Sequence, residues 1–319
     1  MLSLLCRAAA WLLSCAAPGK AGPGTSRAFA RPASAALALL LAAGAAHAAI
    51  TITDDRGRTL HFERPPERVV SLLPSSTESL CEMQQCHRLV GVDRYSNWPA
   101  SVQALPRVGG GLDPNIEAIV ALRPDVVLLS TASRVSDRLE ALGVKVVALE
   151  PKTHADVRRI LATIGDLFAV PRAEGVDRVW RVIDASVQAA AQSLPPAARG
   201  ARVYFEVSRG PYVAGQHSFI GETLARLGVR NVVPAELGPF PRLSPEFVLR
   251  ARPDLVMVSN RSGQPRATYP GWNNLAAIQA GRLCVFGPEQ ADVLVRPGPR
   301  MAEAARIMAR CLGEKFSAP

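Results

Sequence analysis

The sequence predicts an α/β fold of two open lobes joined by one long helix, with a ligand cleft between them. Three observations carry this. First, a unit occurs twice: residues 117–130 read EAIVALRPDVVLLS and residues 246–260 read EFVLRARPDLVMVSN. Glu117 precedes Arg123-Pro124-Asp125, and Glu246 precedes Arg252-Pro253-Asp254, at the same spacing. Pro lacks a backbone N–H and crowds the preceding turn, so a helix ends near it. The run after each Asp is apolar on both faces, as a buried parallel strand requires. Second, helix and strand signals alternate in both halves of the chain. Third, the stretch from Ala173 to Leu194 places Val176, Val179, Trp180, Ile183 and Val187 at helical spacing between Pro171 and Pro195-Pro196. The expected organisation is a leader over 1–48, a lobe over 49–171, the joining helix over 172–197 and a second lobe over 198–319.

The elements follow in order. Residues 50–62 alternate around Asp55-Arg56-Gly57, the pattern of a hairpin. Arg68 to Leu72 is the first core strand. A hydroxyl within Pro74-Ser75-Ser76-Thr77 caps a helix expected from Glu78 to about Gln84. Leu89 to Val92 is a strand, and Asp93 to Pro99 a loop carrying Tyr95 and Trp98. Three glycines, 109–111, precede the first repeated unit. A helix over 137–142 leads to a strand over 144–148, and residues 153–168 are helical. Past the joining helix, Arg202 to Val207 is a strand. Ser218 caps a helix that reaches Gly228, and Asn231 to Val233 is a short strand. Cys284 to Phe286 is the last strand, and Pro299-Arg300 opens the final helix.

The 319 residues carry a formal charge of +10. Arg7, Lys20, Arg27 and Arg31 lie in the first 48 residues, which contain no acid; without them 33 basic and 27 acidic residues remain, or +6. That charge is scattered, so the surface is a solvated basic one and nucleic acid is not a partner. Arg27 and Arg31 precede the apolar run from Ala33, which ends in Ala46-His47-Ala48, the form of a secretory signal cleaved after Ala48. The expected location is the periplasm. Export favours disulfides among the remaining cysteines: Cys81 with Cys86, and Cys284 with Cys311. Free buried thiols are the alternative, and the spacing does not suit zinc.

No H-E-x-x-H, G-x-S-x-G or phosphate-binding loop occurs, and Pro114 follows the glycines where a dinucleotide site needs a helix. The histidines are scattered. An enzyme is therefore not expected, and neither a metal nor a cofactor is. Binding is the better account. Ligands of open α/β lobes sit beyond the carboxyl ends of the strands. Tyr95, Trp98, Tyr212 and Phe240 fall in such loops, each of which contains Pro or Gly, and rings there suit a large, flat, partly apolar ligand. Ordinary packing is the competing account of each ring. Asp292 and Arg296, four residues apart, offer an acceptor and a forked donor, or a simple ion pair. Asn115 and Ser244 each cap a helix and put Glu117 and Glu246 in its first turn. The helix dipole alone accounts for such a Glu; the functional account is a matched pair of carboxylates for a partner's arginines.

The stretches RVVSLLPSSTE (68–78), LVGVDRYSNWP (89–99), IEAIVALRPDVVL (116–128) and SPEFVLRARPDLVMVS (244–259) together resemble the periplasmic substrate-binding proteins of siderophore, haem and cobalamin importers. The resemblance runs from about residue 50 to the end, and it is nearest to the cobalamin-binding members. It implies that Tyr95, Trp98, Tyr212, Phe240, Asp292 and Arg296 bind a corrinoid or another metal chelate. It also implies that Glu117 and Glu246 dock on an ABC permease at the inner membrane, with the protein acting as a monomer. Two tryptophans of the cobalamin-binding members fall here at about Gly111 and Ser130, so a corrinoid precursor, haem or a ferric siderophore is the alternative ligand. Arg94, Arg209, Arg242 and Arg296 lie in or near loops suited to an acidic chelate. Rivals of another class are an exported enzyme and a metal-cofactor chaperone on the same scaffold.

Overall fold

The computed structural model describes residues 49–263 and 269–317. The leader expected over 1–48, with its cleavage after Ala48, lies outside the described residues. The first half opens with an antiparallel hairpin, β1 (Ile50–Thr53) and β2 (Thr59–Phe62). It continues through β3 (Val69–Ser71), α1 (Pro74–Glu82), β4 (Leu89–Val92), α2 (Ile116–Ala121), β5 (Val126–Leu129), α3 (Ser136–Ala141), β6 (Lys145–Ala148) and α4 (His154–Leu167). Strands β4-β3-β5-β6 form one parallel sheet. Helix α5 (Val176–Gln192) then crosses to the second half.

That half contains β7 (Arg202–Ser208), β8 (Tyr212–Val213), α6 (Phe219–Arg226), β9 (Arg230–Asn231), α7 (Pro245–Ala251), β10 (Leu255–Ser259), α8 (Ala276–Gln279), β11 (Leu283–Phe286), α9 (Pro288–Val295) and α10 (Met301–Phe316). Its sheet runs β11-β10-β7, with β8 antiparallel and β9 parallel on the free edge of β7. The fold is thus two α/β lobes joined by one long helix.

The repeated unit does the same work in each half. Arg123 and Arg252 both adopt left-handed backbone, at φ 46° and 44°. For a residue with a Cβ this costs roughly 1–2 kcal/mol, and local bonds offset it. The Asp125 carboxylate accepts from the backbone amides of Glu67 and Arg68, and Asp254 accepts from that of Arg202. In return the Arg68 side chain donates to the Leu122 carbonyl and that of Arg202 to the Ala251 carbonyl. Each helix end is thereby tied to the start of a strand beside the one it feeds. β3 pairs with β5, and β7 with β10. In both copies the following strand is fully buried, which fits its two-sided apolar pattern.

One core runs through both halves. It takes Val69 and Leu128 from the first sheet, Phe205 and Met257 from the second, and Val179, Ile183 and Val187 from α5, with Met308 and Leu312 of α10. A smaller cluster covers the other face of each sheet. Two disulfides are present, Cys81–Cys86 at the end of α1 and Cys284–Cys311 between β11 and α10.

Some local expectations differ. α1 starts at Pro74, not Glu78, with Pro in the first turn and no side-chain cap. Pro suits a first turn because its missing N–H has no intrahelical partner there. Glu78 is therefore a mid-helix residue, and it is 1% exposed. Asn115 caps α2 by accepting from the Ala118 amide, whereas the Ser244 side chain caps nothing. Ser218 caps α6 as its position suggests.

The two halves also meet at α4 and α6. His154 is buried; its Nε2 lies 3.0 Å from the Phe219 carbonyl, and its backbone amide donates to Glu222 at 2.6 Å. Burial pushes this imidazole below its ordinary 6.5, while Glu222 opposes the shift and Arg226 reinforces it. A ring kept neutral in the folded chain contributes stability above that value and loses it as pH falls. The drop in melting temperature between pH 7 and pH 5 should accordingly be shallower in His154→Gln than in the parent, as calorimetry at matched ionic strength will register.

Candidate functional site

A cleft of about 500 Å³ opens where the carboxyl ends of the strands in the two halves face each other. The first half supplies most of it. Leu72, Leu73 and Pro74 follow β3, Asp93 and Tyr95 follow β4, Ser130 follows β5, and Leu149 to Lys152 follow β6. Gly111, Leu112 and Asp113 form one rim. The second half contributes Phe240, Arg261 and Val295 to Pro297.

Tyr95 is held out into this space by a buried polar scaffold. The Tyr95 amide donates to the Asp93 carboxylate at 2.7 Å, and the Ser96 hydroxyl donates to the same carboxylate. Thr77 joins Ser96 to Ser71, while Arg107 donates to the carbonyls of Asp93 and Ser96. Asp93, Thr77, Ser96 and Ser71 are all buried, yet each has a partner, as buried polar groups must. Burial pushes the Asp93 carboxyl above its usual range, against the hydrogen bonds that favour its charge. The result is a hydrogen-bonded loop that leaves Tyr95 50% exposed.

Phe240 reaches the cleft from the opposite half. Its loop pairs with the end of β8 and the residues after it, through Val213 and Gly215, whose amides donate to the carbonyls of Pro241 and Pro239. The ring packs on Phe219 at 5.7 Å between centroids. Leu112 adds an apolar side chain that is 73% exposed. No sequence signal marked it beyond its place after three glycines. A Cβ on Gly111 would come within 2.9 Å of the Leu72 carbonyl, so the chain turns too closely there for a side chain, and Leu112 takes the rim.

The expected site residues therefore divide. Tyr95, Phe240 and Arg296 line the cleft. Trp98 does not; it is half-buried with the Arg300 guanidinium 5.2 Å over its ring. Tyr212 does not either, and lies exposed on β8, bridged to Arg242. Asp292 lies behind the wall, accepting from Arg296 at 2.7 Å, from Arg261 at 2.9 Å and from Asn97 at 3.0 Å. Arg296 itself is 4% exposed. Its Nη atoms reach Glu78, Asn97 and the Tyr95 carbonyl as well, so a pair expected to meet the ligand is engaged between the halves. Burial pushes the Glu78 carboxyl up, against the pull of Arg300 and Arg296.

The charges at the mouth are paired. Lys152 sits 3.1 Å from Glu150, Arg261 2.9 Å from Asp292, and Arg94 2.5 Å from Asp113. Arg94 and Arg261 also approach the Tyr95 ring, at 5.9 and 5.5 Å from its centroid. Of the other arginines noted in the sequence, Arg242 donates to the Gly210 carbonyl and Arg209 stands over Tyr269. Glu117 and Glu246 are away from the cleft lining. Both are exposed in the first turns of α2 and α7, with Arg138 3.7 Å from Glu117. Hydrogen bonds from its own amide and from Ser244 hold the Glu246 carboxyl below its usual range. Among the described residues no group of three or more His, Cys, Asp or Glu side chains is placed to hold a metal ion, and no helix is long and apolar enough to cross a membrane.

A family profile described as periplasmic binding protein matches residues 69–289, and the chain belongs to that family. The vitamin B12-binding protein of Salmonella typhimurium is 28% identical over 261 residues, 77% of this chain and 90% of that protein. The cobalamin-binding protein of Halobacterium salinarum is 28% identical over 281 residues, 82% and 73% of the two chains. Among solved structures, the periplasmic vitamin B12-binding protein of Vibrio cholerae aligns with a TM-score of 0.65 at 24% identity, covering 80% of this chain and 99% of its own. A periplasmic haem-binding protein from Pseudomonas aeruginosa aligns with a TM-score of 0.65 at 27% identity, covering 79% and 94%. The protein is thus an extracytoplasmic substrate-binding component of an ABC transporter, and it is not an enzyme.

The Asp93 scaffold yields a direct check. Asp93→Ala strands the Tyr95 amide and takes from the Ser96 hydroxyl one of its two partners, so stability should fall by about 1–3 kcal/mol, read from urea unfolding midpoints.

Proposed function

We propose that the protein captures a corrinoid, cobalamin or a close relative, in this cleft and delivers it to an ABC importer of the inner membrane. The pairing of charges at the mouth carries the reading. Among the described residues that line the cleft or its rim, each half-exposed cation already faces a carboxylate. An acidic chelate such as a ferric siderophore, or the two carboxylates of haem, would have to compete with Glu150, Asp292 and Asp113 for those cations. A ligand with a broad apolar face and an edge of neutral amides would not. The Tyr95 ring, Phe240, Leu72 and Leu112 offer the apolar contact, and the B12-binding relatives point to the same ligand class. Export by a leader cleaved after Ala48 would place the protein in the periplasm, working as a monomer of two lobes, 49–171 and 198–319. Glu117 and Glu246, one per half and at the same place in the repeated unit, are the carboxylates we assign to the permease.

Two measurements test this. Titration of the protein with cyanocobalamin, cobinamide, haemin and ferric siderophores, followed by intrinsic fluorescence, should give saturable binding with the corrinoids; saturation with haemin or a siderophore alone would replace the ligand. Tyr95→Ala and Phe240→Ala should each weaken corrinoid binding about tenfold, on the order of 1.4 kcal/mol. Glu117→Ala and Glu246→Ala should keep the affinity of the parent and abolish uptake in a reconstituted transporter. Loss of affinity in either variant would show that these carboxylates serve the ligand.

A further inference from the structure

We propose that Arg296 is a positioning residue that locks the Tyr95 loop of the first half to the second half and so sets the width of the cleft before any ligand arrives. Arg296 follows α9, a helix packed on β10 and β11. Every partner of its Nη atoms except Asp292 lies in the first half. Nη1 donates to Glu78 at 2.7 Å and to the Asn97 side chain at 2.8 Å; Nη2 donates to the Tyr95 carbonyl at 2.9 Å. Asn97 returns a bond to Asp292 at 3.0 Å, so this one amide joins the two halves twice.

The neighbouring contacts act in the same direction. Arg300 places its Nε 3.4 Å from Glu78 and its guanidinium over Trp98. Between the two arginines, Gly298 packs against α1, where a Cβ would be in ordinary contact with the Ser75 carbonyl. Three of the six residues expected to hold the ligand, Trp98, Asp292 and Arg296, thus belong to one interface between the halves.

Arg296 borders the cleft and its Nε has no partner there, but both Nη atoms are taken up by Glu78, Asn97, the Tyr95 carbonyl and Asp292. Glu78 is 1% exposed and Arg296 4%. Drawing the guanidinium toward a ligand would take one of two cations from the buried Glu78 carboxylate, leaving Arg300 at 3.4 Å, and would strip the Tyr95 carbonyl of its donor, which is unfavourable. The group acts instead through what it holds. The carbonyl of Tyr95 is fixed from one side by Arg296, and its amide from the other by Asp93, so the backbone that carries the ring is held in place. The contact of His154 with Phe219 and Thr223 joins the halves at a second place, between α4 and α6.

The test reads the distance between the halves, which does not depend on which ligand is correct. Spin labels are attached at Leu142→Cys in the first half and Gln279→Cys in the second, both exposed positions, and their distance distribution is recorded without ligand. The labelled parent should give one narrow peak. Asn97→Ala, which removes two cross-lobe bonds at an exposed residue, and Glu78→Gln, which removes the buried charge, should each broaden that peak at least twofold. If Glu78→Gln does not fold, Asn97→Ala still decides. In parallel, release of cyanocobalamin should quicken several-fold in Asn97→Ala. An unchanged peak in the variants overturns the proposal, and so does weaker corrinoid binding with an unchanged peak, because Arg296 or Asn97 would then be touching the ligand. A broadened peak in a protein that binds no corrinoid leaves the lock standing and removes only the ligand assignment.

Discussion

The turn Arg-Pro-Asp is the constraint on which both halves depend. It ends a helix, forces an arginine into left-handed backbone, and offers a carboxylate to the first amides of the adjacent strand. Because it closes a helix and starts a strand within three residues, it sets the direction of that strand and ties it to one of its two neighbours, β3 beside β5 and β7 beside β10. The parallel order in each sheet then follows, and with it the placing of all the carboxyl-end loops on the side where the halves meet. Asp125 and Asp254 are more than helix stops in this arrangement. They satisfy strand amides that would otherwise face the helix end unpaired, and Arg68 and Arg202 satisfy the carbonyls that the helix leaves open.

The cleft built on this frame is unequal. The first half provides a floor of Leu72, Leu149 and Pro151 and an aromatic on a hydrogen-bonded loop, Tyr95. The second adds one ring and the arginine-bearing turn after α9. The two sides are not free to swing far. They share a core through α5 and α10, and a helix without an internal Pro or Gly resists bending. Polar contacts add to this at two places, the Arg296 cluster and His154. Capture by such a protein relies on a surface already shaped for the ligand, which lowers the ordering that binding must impose.

The charges give the cleft its chemical character. Lys152, Arg261 and Arg94 would read as an anion trap if counted alone. Each has a carboxylate beside it in space, and two of those carboxylates, Asp113 and Asp292, are distant from their arginines in the chain. Counting basic residues in loops overestimates the attraction for an acidic ligand, because it misses partners that folding supplies.

Much of the architecture was legible in the chain. The repeated unit, the alternation of helix and strand, and the apolar spacing of α5 gave two α/β lobes and the helix between them, because these are local patterns read within a few residues. The same patterns gave the caps at Asn115 and Ser218. They failed at Pro74, where a proline that can only end a helix from inside served to begin one, and at Ser244, whose side chain turned to Glu246. The site was read less evenly. Tyr95 and Phe240 were marked by their loops, and they reach the cleft, which Arg296 also borders. Trp98, Asp292 and Arg296 carried the same marks, but their contacts are with groups up to 218 residues away in the chain, as between Arg296 and Glu78. Glu78 had no mark at all, since a Glu early in a helix is ordinary. The sequence by itself determined what each stretch becomes, through backbone propensity and apolar period. Only the tertiary structure decided which exposed-looking polar residues would be buried against one another, because that depends on two halves closing over the same few side chains.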